Sequence, residues 1–121
     1  MILIDSYGWL EYFLKGPLAD KYARYIEEAN EENCITPSIV VFEVYKKIRK
    51  LKDEQSALEA YAQIARTRII ELTAQLALEA AEISLTSNLG MADSMIVTTA
   101  KNYGAQIVTS DKHLKTSSKP N

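Results

Sequence analysis

Four carboxylates stand out by type and setting: Asp5, Glu43, Asp93 and Asp111. Asp93 lies in Gly90-Met91-Ala92-Asp93-Ser94-Met95-Ile96-Val97, a stretch with the composition of a buried helix. Ile96 and Val97 occupy the positions where a surface helical Asp ordinarily finds a Lys or Arg. A carboxylate that points where apolar residues point needs a partner. Glu43 has a similar setting in Val40-Val41-Phe42-Glu43-Val44-Tyr45. Asp5 follows the apolar run Ile2-Leu3-Ile4 directly, and Asp111 comes shortly after Gln106-Ile107-Val108-Thr109. Each acid alone has an ordinary explanation. Asp5 could cap a helix, Asp111 could close an Asx-turn, Asp93 could answer a helix dipole, and Glu43 could pair with Lys46 or Lys47. Taken together, two at strand ends and two in apolar surroundings, they suggest a cluster. Two carboxylates about 5 Å apart at an effective dielectric of about 20 repel by roughly 3 kcal/mol, so a cluster persists through shared protons or a bound cation. Oxygen ligands without His or Cys select hard cations, here Mg²⁺ or Mn²⁺. Such ions activate water and clamp phosphate. The chemistry implied is metal-dependent phosphodiester hydrolysis.

The rest of the inventory narrows the choice. One histidine, His113, and one cysteine, Cys34, cannot build a tetrahedral structural zinc site or a paired-histidine nuclease. No GxGxxG or GxxxxGK[ST] occurs, so those nucleotide cradles are absent. Asp5-Ser6-Tyr7 lacks the Asp-x-Asp of a haloacid-dehalogenase-type phosphatase, and Leu72-Thr73 offers no phosphoacceptor for a receiver domain. Net charge is −2, yet Lys46, Lys47, Arg49, Lys50 and Lys52 crowd one helix, as a solvated face or a contact for a polyanion. A lone cysteine fits a reducing, cytoplasmic setting. Ile2-Leu3-Ile4 directly after Met1 reads as a strand start rather than a signal peptide, and the longest apolar runs, four residues, are far too short for a membrane span.

The elements that must position these acids alternate along the chain. Strands are expected at Ile2–Ile4, Cys34–Ile35, Thr67–Leu72 and Gln106–Thr109. Ser6 is read as the cap of a first helix carrying Trp9 and Phe13. A second helix is expected from about Leu18 to Glu32. Thr36-Pro37 reads as a helix start, Pro in the first turn, for a helix to about Leu51 with Ile39, Val40, Phe42, Val44, Tyr45 and Ile48 inward. Asp53 and Thr73 cap two further helices, and Gly90 and Gly104 bracket the Asp93 helix. With 121 residues this is one domain over 1–121, with 116–121 a polar flexible tail. Alternation of this kind implies an α/β fold, a three-layer α/β/α sandwich on a mainly parallel sheet. Ligands of such sheets bind beyond the carboxyl ends of the strands, where Asp5 and Asp111 lie. Placing Asp93 at that rim requires its helix to start there, although another helix precedes it.

Ile4-Asp5-Ser6 with Trp9, Thr36-Pro37-Ser38 with Phe42-Glu43-Val44, Ala92-Asp93-Ser94-Met95-Ile96, and Val108-Thr109-Ser110-Asp111 together resemble a PIN domain, most closely the VapC toxins of toxin–antitoxin pairs. The resemblance spans nearly the whole chain. It implies that Asp5, Glu43, Asp93 and Asp111 hold one or two Mg²⁺ or Mn²⁺ ions, supported by Ser6 and Thr109, and that an activated water cleaves RNA. It also implies a homodimer and a small antitoxin partner. An RNA-processing nuclease without an antitoxin, or a silent PIN-like interaction module, are the alternatives; the full set of four acids disfavours the second. Lys46, Lys47, Lys50 and Lys112 are the candidate RNA contacts. Leu114 stands where the family often has an aromatic, and a fifth edge strand is missing or very short.

Overall fold

The computed structural model describes residues 1–110 and Leu114. Four strands, β1 (Ile2–Ile4), β2 (Cys34–Pro37), β3 (Arg68–Ile70) and β4 (Gln106–Val108), form a sheet in the order β3-β2-β1-β4. Every pairing is parallel, with Ile2 opposite both Cys34 and Gln106 and Pro37 opposite Ile70. Six helices connect them: α1 (Ser6–Phe13), α2 (Ala19–Glu27), α3 (Ser38–Leu51), α4 (Glu54–Ile64), α5 (Ala74–Ser87) and α6 (Met91–Tyr103). α1 packs on α2 and α3, α3 on α4, and α5 on α6. Right-handed crossovers put α1–α4 on one face of the sheet and α5–α6 on the other, giving the expected α/β/α layering. No helix among the described residues is long and apolar enough to cross a membrane.

The core runs through the sheet. Leu3, Ile4, Cys34 and Ile35 are fully buried, as are Trp9, Tyr22, Val40, Val44 and Val97 from the helices above and below. Trp9 stacks on Phe13 with ring centroids 5.8 Å apart. Burial pushes the Cys34 thiol up to about 11, because a thiolate there would lose its hydration. The thiolate is the reactive form. Cys34 should therefore resist iodoacetamide at pH 8 in the native protein and react once the protein is unfolded in urea; rapid native labelling would contradict this packing.

Several boundaries differ from the sequence expectation, each for a local reason. Asp5, not Ser6, caps α1: its backbone is extended and its Oδ1 accepts from Gly8 N at 2.8 Å. α2 stops at Glu27 rather than Glu32, because Asn30 Oδ1 accepts from the backbone of Glu32 and Asn33 and closes a turn. Thr36 and Pro37 belong to β2, and Pro37 is the cap residue of α3 rather than its first turn. Thr36, one residue before the cap position, donates its hydroxyl to Thr67 Oγ1 at 2.6 Å, since Thr67 gives its own proton to Ile64 O. β3 is shorter than Thr67–Leu72. Thr67 bonds back to Ile64 O at the end of α4, and Leu72 N is taken by Ser38 Oγ. Phe42, expected inward, is 58% exposed. Asp53 and Thr73 do cap α4 and α5, accepting from Ser56 N and Leu76 N. Gly104 ends α6 in the left-handed region at φ 62°. The expected tail at 116–121 lies outside the described residues.

Candidate active site

The sheet order places β1 between β2 and β4: the chain steps outward from β1 through β2 to β3, then crosses back to add β4 on the other side of β1. The crevice beyond the carboxyl ends of β1 and β4 is therefore a topological switch point, the usual ligand position in such sheets. A cavity of about 490 Å³ opens there. Asp5, Glu43 and Asp93 all line it, together with Ser6, Tyr7 and Ser110. Leu18, Ile96 and Leu114 supply its apolar surface.

Each acid arrives by a different route. Asp5 is the residue after β1, buried to 4% exposure. Its two oxygens have separate partners: Oδ1 takes Gly8 N at 2.8 Å and Oδ2 takes the Thr109 hydroxyl at 2.5 Å. The carboxylate that caps the helix is thus also the one that meets the cavity. Glu43 comes from the second turn of α3, and its Oε1 accepts from Ser6 Oγ at 2.5 Å. No salt bridge to Lys46 or Lys47 forms among the described residues; the ion pair on this helix is Arg49–Glu54 at 3.9 Å. Asp93 is in the first turn of α6. α5 carries the chain back from the end of β3, so that α6 begins at the rim. α6 is buried from Ile96 to Ala100, with Ser94 buried as well. Its buried hydroxyls are satisfied within the helix, Thr98 Oγ1 on Ser94 O and Thr99 Oγ1 on Met95 O, both 2.7 Å. Burial from Ile96 to Ala100 is what anchors the helix behind its first turn.

Ser6 and Thr109, expected to support the acids, hydrogen-bond to Glu43 and Asp5 respectively. Asp111 and Lys112 lie outside the described residues. Lys46, Lys47 and Lys50 are exposed on α3 and do not line the cavity; Lys46 Nζ sits 5.4 Å from the Phe42 ring centroid. Sequence reasoning missed the α1–α2 wall. Tyr7 lines the cavity and donates its hydroxyl to Glu11 Oε1 at 2.5 Å. That bond to a carboxylate raises the Tyr7 pKa, with burial adding to it. Tyr22 and Lys21 both reach Ser110 Oγ, at 3.0 and 3.1 Å. The Tyr22 pKa is raised chiefly by burial. The spacing of Tyr7 and Glu11, four residues on one helix, was the available signal.

A family model for the PIN domain matches residues 2–119. The chain belongs to the PIN domain family. Solved PIN-fold structures agree. VapC20 of Mycobacterium tuberculosis, described as a sarcin-ricin loop cleaving toxin, superposes with a TM-score of 0.83 at 15% identity, over 96% of this chain and 94% of that one. VapBC2 from Rickettsia felis, bound to a DNA fragment from its promoter, gives 0.75 at 21% identity, over 96% and 92%. A toxin–antitoxin complex from Klebsiella pneumoniae gives 0.73 at 18% identity, over 92% and 87%. Among curated proteins, no sequence matches the chain.

The acids that line the cavity of this PIN domain offer only carboxylate oxygens, which would suit Mg²⁺ or Mn²⁺ over softer ions. Among the described residues no three His, Cys, Asp or Glu side chains gather tightly enough to form a ligand cage. Asp5, Glu43 and Asp93 instead share the walls of one cavity.

Proposed function

We propose that this PIN domain is a divalent-metal-dependent endoribonuclease, the toxin of a VapBC-type toxin–antitoxin pair. The observation that carries this reading is the convergence of Asp5, Glu43 and Asp93, from three separate elements, on one cavity at the switch point. Asp5, Glu43 and Asp93, with Asp111, would hold Mg²⁺ or Mn²⁺. Bound there, the ion would lower the pKa of water and offset charge at a scissile phosphate. The chain's own residues do the positioning. Thr109 and the Gly8 amide fix both oxygens of Asp5, and Ser6 fixes the carboxylate of Glu43. Hydrogen-bonded ligands of this kind keep their orientation before any ion arrives. Lys46, Lys47, Lys50 and Lys112 would add sequence-independent attraction for the RNA backbone. The toxin assignment draws on the VapC and toxin–antitoxin structures that share this fold. It brings with it a homodimer and a small antitoxin partner, with a cytoplasmic location. Exposed Phe42, Leu58 and Tyr61 on α3 and α4 provide apolar surface of the sort a partner segment covers.

The test is direct. The purified protein should cleave single-stranded RNA with Mg²⁺ or Mn²⁺ and lose that activity in chelator. Cleavage undiminished in chelator would sink the carboxylate–metal reading.

A further inference from the structure

A cavity walled by carboxylates repels the polyanion that a ribonuclease must bind. Its described lining contains three acids and no Lys or Arg. The α1–α2 side supplies what is missing. Lys21 Nζ is 3.1 Å from Ser110 Oγ, and Ser110 lines the cavity. The same oxygen is 3.0 Å from the hydroxyl of Tyr22, whose ring is fully buried. Lys21, itself exposed, is therefore tied by one hydrogen bond to a residue of the cavity edge.

Tyr7 is the second component. An exposed tyrosine ordinarily keeps its apolar ring against the protein and its hydroxyl in water. Tyr7 does the reverse. It is 50% exposed, yet its hydroxyl is committed to Glu11, which is only 8% exposed. Glu11 is itself held, accepting from Leu18 N and pressed against Gly16 so closely that a Cβ at position 16 would overlap its carboxylate. With its polar end turned inward, Tyr7 offers ring surface to the cavity. An aromatic surface in a cavity wall and a cation tied to the cavity edge are the parts that hold a nucleotide of a single strand, since stacking requires a base free of its duplex partner.

We propose that Tyr7 and Lys21 form a nucleotide subsite on the α1–α2 wall, Tyr7 taking the face of an unpaired base and Lys21 the adjoining phosphate, with Glu11 as the positioning residue for Tyr7. This rests on the ribonuclease reading and assigns two residues of the α1–α2 wall to holding the strand.

The test has two arms. In chelator, where no cleavage occurs, binding of a short fluorescein-labelled single-stranded RNA is followed by anisotropy, with the matching duplex as comparison. Tyr7→Ala should weaken single-strand binding about 10-fold and duplex binding little, while Tyr7→Phe keeps the ring and stays within about 2-fold. Lys21→Gln should weaken binding and reduce the slope of log K against log salt by about 1. Glu11→Gln retains an acceptor for Tyr7 and should bind as wild type, whereas Glu11→Ala should move in the direction of Tyr7→Ala. If Glu11→Ala fails to fold, exposed Tyr7 and Lys21 still decide the matter. In the second arm, with Mn²⁺, Tyr7→Ala should raise KM for cleavage with kcat little changed. Tyr7→Ala and Lys21→Gln proteins that bind the strand as wild type does would overturn the subsite and leave the nuclease reading standing. Wild-type protein that binds no RNA overturns the subsite as well. Wild-type protein that binds but never cleaves removes the nuclease reading alone.

Discussion

Asp93→Asn should abolish RNA cleavage, lowering kcat/KM by at least about 100-fold. Residues that merely orient metal ligands are worth about 10–100-fold when removed, and Asp93 is proposed as a ligand itself. The substitution is nearly isosteric and removes only the charge. It falls in the first turn of α6, while the helix is anchored further along by Ile96, Val97 and Ala100. The thermal midpoint in chelator should therefore change little: one fewer acid among Asp5, Glu43 and Asp93 relieves repulsion. The two states separate on adding Mn²⁺. A ligand that binds only the folded state at about 100 times its Kd adds roughly 2.7 kcal/mol, so wild-type protein should melt higher with the ion and Asp93→Asn should gain much less. Melting curves with and without Mn²⁺, beside a cleavage assay, check both halves. Full activity in the variant would remove Asp93 from the site. A large loss of stability in chelator would make it a structural acid instead.

Asp93 also shows how far the chain could be read before its fold was known. Its apolar neighbours, with no Lys or Arg three or four positions on, were visible in the sequence, and they did single out a cavity residue. Its place at the rim was not visible, because that depends on α5 returning the chain across the sheet. Asp5 and Ser6 illustrate a different limit. Both are good capping types, and composition favoured Ser6. The residue with extended backbone at the strand end is Asp5 (φ −71°, ψ 167°), so the cap falls to it. The exchange matters for function, since Ser6 is then available to Glu43, 37 positions away. No periodicity encodes a contact of that range. The same holds for Tyr22 and Lys21 meeting Ser110 at separations of 88 and 89 residues. The basic run on α3 was conspicuous by composition, yet its lysines are exposed, and among the described lysines it is Lys21 that bonds to a cavity residue. Strand positions and helix caps were legible because they depend on neighbours; the site's hydrogen bonds were not, because they depend on topology.

Gly8→Ala should destabilise the protein by about 2 kcal/mol, against the usual direction. Within a helix, replacing Gly by Ala ordinarily stabilises by about 1 kcal/mol. Gly8 lies inside α1, where that gain is available. Packing decides the sign. A Cβ at position 8 would lie 2.5 Å from Tyr22 Cε1, 2.6 Å from Tyr22 Cδ1 and 2.9 Å from Ile4 Cγ2. Neither neighbour has room to retreat. Tyr22 and Ile4 are fully buried, Ile4 is held in β1 opposite Val108, and Tyr22 is tethered to Ser110 through its hydroxyl. Overpacking of this kind costs about 1–3 kcal/mol and sometimes more, which outweighs the helical gain when two rigid partners are struck at once. For a domain of this size the midpoint should fall by about 6–10 °C. The damage should also reach the cavity. Displacing Tyr22 shifts the Ser110 hydroxyl to which Lys21 is bonded, so single-strand binding should weaken. Differential scanning calorimetry and the anisotropy assay measure the two effects separately. A Gly8→Ala protein as stable as wild type would show that α2 can slide on α1, and the α1–α2 wall would then be too soft to hold Lys21 in register with the carboxylates.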